Sequence, residues 1–403
     1  MTLLERFLDY VKIDSQSDPD SSTVPSTAKQ LDVIALLVRQ LKELGVPRVV
    51  EDGKGNVYAT IPGNDPMKTT SIGLMAHVDT ATEMSGKNVR PQVITNYDGG
   101  VITLSHELGV VLDPTVFPSL TFHRGKTLVT TSGDTLLGAD DKAGVAILMD
   151  FVQFVMQTPS YRHGPIQIGF TCDEEIGRGV THFDPALFQA TFAYTLDGGD
   201  LHRINVENFN ASSAVVRFQG KAIHPGSAKN QMVNAQTLAA RYHLSLPTDQ
   251  TPETTEGYEG FIHLTQSTGG VESAELRYIL RNHDLKKLEA LEALMQTKVD
   301  ALNSALDTPR LTITIQRSYY NMKSIIDQHP DILKRVNDAY QALNLPLYYE
   351  PIRGGTDGAM LTYKGVPTPN LATGGYNFHG KYEYFVVEDG LMMVEVLKRI
   401  FAY

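Results

Sequence analysis

The chain contains no tryptophan, a single cysteine, and fewer bases than acids: 35 Lys and Arg stand against 46 Asp and Glu, a formal charge of −11. Cys172 has no partner for an internal disulfide, so the fold must hold without covalent staples, the usage of a reducing compartment. The shortage of positive charge argues against a nucleic-acid role, because phosphate binding needs a basic face. Acidity suits a cationic ligand such as a metal ion, and it is equally the ordinary balance of a soluble enzyme. Long apolar runs are missing too, and nothing reaches the roughly 18 residues of a membrane span. The first residues carry acids and no unbroken apolar stretch. Leu3, Leu4, Phe7, Leu8 and Val11 fall on one side of a helix, so this segment reads as amphipathic and not as a signal peptide. A cytoplasmic protein with neither nucleic-acid nor membrane partner is the expectation.

Hydrophobic residues make up 42% and charged residues 20% of the 403, which describes a globular protein long enough for two domains or three. Helical spacing of Ala28, Leu31, Ile34, Ala35, Val38, Leu41 and Leu44, with Gly45 behind them, predicts a helix over 27–44. Strand-like runs follow at 56–61, 71–76, 127–131, 166–171 and 192–196, and an apolar helix begins near Asp140. Strands alternating with helices predict an α/β fold, a mixed sheet with helices on both faces. From 208 to 320 the pattern changes to strand, helix, strand, strand, helix, strand. The last helix is capped by Asp284 and striped by Leu288, Leu291, Met295, Val299 and Leu302. Strand–helix–strand twice over is a ferredoxin-like α+β unit. It reads as an insertion that divides a domain made of 1–207 and 321–403.

Chemistry concentrates in five short segments: Ala76-His77-Val78-Asp79, Gly138-Ala139-Asp140-Asp141-Lys142, Asp173-Glu174-Glu175, Leu196-Asp197-Gly198-Gly199 and Asn377-Phe378-His379-Gly380. Carboxylates and imidazoles are zinc ligands, and these are more than one tetrahedral ion can use, which points to a pair of ions. His77 and Asp79 are two apart in extended chain and share a side, so Asp79 can hold the imidazole that His77 turns toward a metal. Asp140 opens a helix, where a carboxylate also suits the helix dipole; Asp141 and Lys142 can position that loop. Of the adjacent acids Glu174 and Glu175, one can bind metal while the other takes a proton from water. Each cluster alone also reads as a polar strand end or a solvated turn. Their common position at strand ends is what unites them, because open α/β sheets bind ligands there. The histidines at 106, 123, 163, 182, 202, 243, 263 and 283 lack such settings and read as surface or core residues.

These segments, together with His224-Pro225-Gly226-Ser227-Ala228-Lys229 and Arg353-Gly354-Gly355-Thr356-Asp357-Gly358, resemble the peptidase T group of tripeptide aminopeptidases. That group lies within the aminoacylase-like, co-catalytic zinc metallopeptidases, and the resemblance runs from about residue 10 to the C-terminus. It implies two zinc ions per subunit, with Asp140 bridging them, His77 and Asp197 completing one, and Glu175 and His379 the other. It further implies Glu174 as proton acceptor and donor to a metal-bridging water, with Asp79 as partner of His77. A histidine of the inserted domain, His224, would help hold the oxyanion, brought in by domain closure or by a second subunit. Arg353 and Arg281 are candidates to grip a peptide carboxylate, and for Arg281 a surface ion pair stays open. The inserted domain usually makes the dimer contact in this superfamily, which implies a homodimer acting on small peptides. An amidohydrolase of the same fold, acting on dipeptides or N-acyl amino acids, is the alternative; a metal-binding scaffold is remote.

Overall fold

The computed structural model describes residues 1–402. By density of internal packing the chain divides into two units, one of residues 1–206, 324–350 and 356–403, the other of 207–323 and 351–355. The short return at 351–355 thus goes with the inserted unit, although it lies far beyond the insertion in sequence.

In the first unit a six-stranded sheet runs in the order Arg48–Glu51, Val57–Ile61, Ile166–Thr171, Ile72–His77, Phe192–Gly198, Asn370–Ala372. The last four are mutually parallel, and the first two pair antiparallel at one edge. Ile72–His77 and Ile166–Thr171 are buried along their whole length; the first reads as a nearly continuous apolar run, whereas the second alternates Ile166, Ile168 and Phe170 with Gln167, Gly169 and Thr171. Gly73 is needed there, since a Cβ would stand 2.5 Å from the Phe188 ring and 2.8 Å from the Ala193 methyl.

Helix Leu3–Val11 begins at a Thr2–Glu5 capping box and buries Leu3, Phe7 and Val11 of the stripe expected from the sequence, together with Tyr10. Leu4 and Leu8, assigned to the same stripe, are only half-buried. The predicted helix over 27–44 is Gln30–Glu43, followed by Gly45 at φ +81°. The helix expected near Asp140 is Ala139–Gln157. A smaller sheet (order Gly375–Tyr376, Tyr384–Val386, Leu128–Thr130, Gln92–Ile94) holds the run expected at 127–131, which is therefore no part of the main sheet.

The second unit is a four-stranded antiparallel sheet in the order Phe261–Gly269, Ser273–Asn282, Asn210–Gln219, Leu311–Tyr319. Helices Ala235–Leu244 and Leu285–Ser304 share one core with it, built from Val216, Phe218, Tyr242, Leu276, Leu280, Leu288 and Met295 among others. Asp284 caps the longer helix through the Lys287 N–H, 3.1 Å away.

Candidate metal centre

Parallel register decides what meets what. His77 is level with Thr171, and Met75 with Thr195, so His77, the acidic turn after Thr171 and Asp197 all emerge at one edge of the sheet. Helix Ala139–Gln157 brings Asp140 to the same edge. Its entry is bent: Gly138 sits at φ +81°, and Asp140 and Asp141 have non-helical backbone angles.

The two oxygens of Asp140 address different histidines. Oδ1 lies 3.0 Å from His77 Nε2, and Oδ2 lies 3.3 Å from His379 Nε2. Asp197 Oδ1 stands 3.6 Å from the same His77 nitrogen, and Glu175 Oε2 stands 3.1 Å from the same His379 nitrogen. Donors about 2.0–2.2 Å from a tetrahedral zinc are separated by roughly 3.3 Å, so each histidine nitrogen stands from its two carboxylates at the spacing of ligands around one ion. Ligand atoms of His77, Asp140 and Glu175 also fall within 4.8 Å of one another, as do those of His77, Asp141 and Asp197. Glu175 Oε1 and Asp141 Oδ1 are buried without hydrogen-bond partners. Such orphaned acceptors fit a cation.

The electrostatics agree. Burial, then the Asp140 charge, pushes the Glu175 carboxyl up to about 8 and the Asp197 carboxyl up to about 6. Burial also pulls His77 down, but Asp140, Asp197 and Asp79 outweigh it and hold the imidazole well above its usual value. Too many carboxylates share too little solvent, and divalent cations would relieve them.

Glu174 is half-buried and is not in ion-pair contact with either histidine. Burial, then Asp197, drives its carboxyl well above the usual glutamate range. Asp79, fully buried, lies 3.2 Å from His77 Nδ1, and its two oxygens accept the N–H groups of Glu174 and Glu175 at 3.0 and 3.1 Å. It therefore steadies the acidic turn as well as the histidine. Asp173 enters that turn at φ +64°, its carboxylate held by Ser26 N–H at 2.7 Å and Gln30 Nε2 at 2.7 Å.

Residues 206–307 match the peptidase dimerisation domain family. A curated relative from Bacillus pumilus, peptidase T, is 46% identical over 99% of this chain and 97% of its own length. Another peptidase T, from an Exiguobacterium species, is 49% identical over 96% of this chain and 94% of its own. Among solved structures, the aminopeptidase PepT of Bacillus cereus superposes with a TM-score of 0.77 at 22% identity, covering 99% of this chain and 97% of that one. A tripeptidase of Staphylococcus aureus superposes at 0.78 and 23%, with the same coverage. A dinuclear metal-binding peptidase of the M20 family from Bacillus subtilis shares the fold at 0.66 and 14%, covering 99% of this chain and 96% of that one. The chain belongs to the peptidase T family.

The residues suggested for substrate, His224, Arg281 and Arg353, all belong to the inserted unit. Arg353 is committed within the inserted unit. Its guanidinium donates to Gly257 O at 2.9 Å, Glu259 O at 2.8 Å and Thr255 Oγ1 at 2.9 Å, and it stacks over the Phe209 ring at 5.1 Å. Arg281 donates to Leu280 O at 2.9 Å and lies 5.2 Å over Tyr319, with no carboxylate paired to it. His224 is exposed on a short turn, where Nδ1 accepts the Gly226 N–H at 3.1 Å, leaving the neutral ring's proton on Nε2.

Two supporting residues, Glu83 and Glu383, escaped the sequence reading, and a third, Asp141, has the positioning role expected of it. Glu83 Oε1 stands 3.2 Å from His379 Nδ1, the counterpart of Asp79 at His77. Asp141 accepts the His77 backbone N–H at 3.1 Å. Glu383, 1% exposed, accepts the N–H groups of Leu137, Gly138 and Asp140 at 2.7, 2.8 and 3.1 Å, so one carboxylate shapes the loop that presents Asp140. Glu383 lies four residues beyond His379, and Glu83 carried no signal.

Proposed function

We propose that this chain is a zinc-dependent aminopeptidase that hydrolyses tripeptides and releases the N-terminal residue. The observation that carries the reading is Asp140, whose two oxygens each face a different histidine, 3.0 and 3.3 Å away, with Asp197 and Glu175 alongside. Full-length similarity to enzymes named peptidase T supplies the substrate class. Asp140 would bridge two ions, His77 and Asp197 holding one, Glu175 and His379 the other. When bound, the pair polarises the scissile carbonyl and acidifies water. Glu174 takes the proton of the attacking water and returns it to the departing amine, a task for a carboxyl raised above the usual glutamate range. Asp79, Glu83, Asp141 and Glu383 keep the ligating groups in place. His224, Arg281 and Arg353 remain our candidates for oxyanion and carboxylate recognition, although both terminal nitrogens of Arg353 are engaged by Thr255, Gly257 and Glu259.

Two imidazoles among carboxylates favour zinc, although oxygen-rich sites accept other divalent ions. The match of 206–307 to a dimerisation domain supports a homodimer through the inserted unit. The one cysteine is free and buried, in keeping with the cytoplasm. No described helix is long and apolar enough to cross a membrane. The test is a panel of a tripeptide, a dipeptide and an N-acetyl amino acid on chelated and zinc-restored protein. Zinc-dependent preference for the tripeptide is expected; preference for the N-blocked substrate would contradict the aminopeptidase reading.

A further inference from the structure

A cavity of about 920 Å³ opens in the first unit, and none of His77, Asp140, Glu174, Glu175, Asp197 or His379 lines it. The volume is that of a small-molecule site. Its wall includes His123, which is 3% exposed yet has no hydrogen-bond partner on either ring nitrogen. Asp389 Oδ2 stands 3.9 Å from Nδ1, too far to serve, and the ring packs on Tyr376 at 4.8 Å between centroids. Burial, then Lys126, pulls the imidazole down to about 4, so at neutral pH it offers one donor and one acceptor. His202, on the same wall, adds a third buried ring nitrogen, Nδ1, without a partner.

Charges of both signs surround these rings. Lys126 pairs with Asp389 at 2.6 Å, and Arg203 pairs with Glu350 and reaches Asp200 at 3.5 Å. A compact anion would meet three carboxylates here, those of Asp200, Glu350 and Asp389. An apolar molecule would leave the His123 nitrogens unanswered. A ligand with an ammonium and a carboxylate answers both, and Phe122 and Tyr376 supply apolar surface for its side chain.

We propose that this cavity binds a small zwitterion of the amino-acid type, a free α-amino acid or a dipeptide with an apolar side chain. It rests on the proposed function only in that these are the two products of tripeptide cleavage. Gly199 and Tyr376, both on the wall, belong to the segments that carry Asp197 and His379, so the site adjoins the metal centre without sharing its ligands.

The experiment is calorimetric titration of the metal-loaded full chain and its His123→Phe variant with L-leucine, L-leucyl-L-leucine and sodium phosphate. Leucine or the dipeptide should bind, and His123→Phe should weaken that binding at least tenfold; whichever binds tighter names the occupant. Unchanged affinity in the variant, or phosphate binding as well as the zwitterions, would overturn the proposal. If His123→Phe does not fold, crystals of the wild-type protein soaked with each zwitterion decide. Density in the cavity supports the site, and density only at the metal centre, or none, overturns it. A chain that binds leucine through His123 but leaves tripeptides intact would refute the proposed function and keep the cavity.

Discussion

Removing the Glu383 carboxylate should loosen the metal centre without touching a ligand. In Glu383→Ala, the N–H groups of Leu137, Gly138 and Asp140 lose their acceptor in a place that is nearly dry. An unsatisfied buried donor costs about 1–3 kcal/mol. Three would cost about 3–9 kcal/mol if nothing relaxed, and water entering the vacated space should reduce this to roughly 3–5 kcal/mol. Glu383→Gln retains one carbonyl oxygen for Leu137 and Gly138 and turns an amide N–H toward the Asp140 N–H. It should lose about 1.5–3 kcal/mol, the worth of a hydrogen bond to a charged group. Because the freed loop presents Asp140, zinc affinity should fall by about 10–100-fold, the usual effect of losing support behind a ligand. Urea unfolding of the zinc-free chain measures the first quantity, and zinc competition with a chromophoric chelator the second. A Glu383→Ala protein within about 1 kcal/mol of wild type, with undiminished zinc affinity, would refute the reasoning.

Three other outcomes are expected. Gly144→Ala places a methyl 1.9 Å from Leu196 O and 2.3 Å from Asp141 Oδ1, so it should cost about 2–3 kcal/mol and weaken zinc binding, measured by the same two assays. Glu83→Ala should lower zinc affinity less than Glu383→Ala, by about tenfold, since the His379–Glu83 pair is partly exposed; equal losses would contradict that ranking. The His123 imidazole, about 4 in the fold against its usual 6.5, binds its proton more readily unfolded. Its contribution to stability is therefore complete above pH 6.5 and is lost as pH falls toward 4, about 2 kcal/mol in all after allowance for screening. His123→Phe should flatten the stability profile over that window, as unfolding midpoints at several pH values would show.

Much of the centre could be read from the chain because its ligands follow buried parallel strands. Runs such as Ile166–Thr171 and Ile72–His77 end in polar residues at one sheet edge, so apolar patterning and acidic endings tell the same story. The inserted unit was legible for a related reason: its strands and helices are long, nine or more residues each, and strongly patterned. The small sheet was legible only at Leu128–Thr130, since strands such as Gln92–Ile94 and Gly375–Tyr376 are two or three residues long and carry no period. Glu383 acts across 243 to 246 positions of sequence, and Glu83 reaches His379 across 296, distances that no local pattern records. The surroundings of Arg353 were not legible, because a glycine-rich setting suggests an open binding loop. Its partners are backbone carbonyls, which the sequence does not distinguish. His123 was set aside for want of acidic or glycine-rich neighbours; its missing hydrogen bonds emerge only in three dimensions.

The central claim is a two-ion centre at which Glu174 moves the proton, and Glu174→Ala tests it most directly. Metal analysis and tripeptide turnover are measured on the same sample. The account predicts two zinc ions per chain, as in wild type, with kcat reduced by about 10²–10⁴-fold. Hydrolysis at the wild-type rate would contradict the assignment of the base, and loss of zinc from this variant would show that Glu174 is itself a ligand.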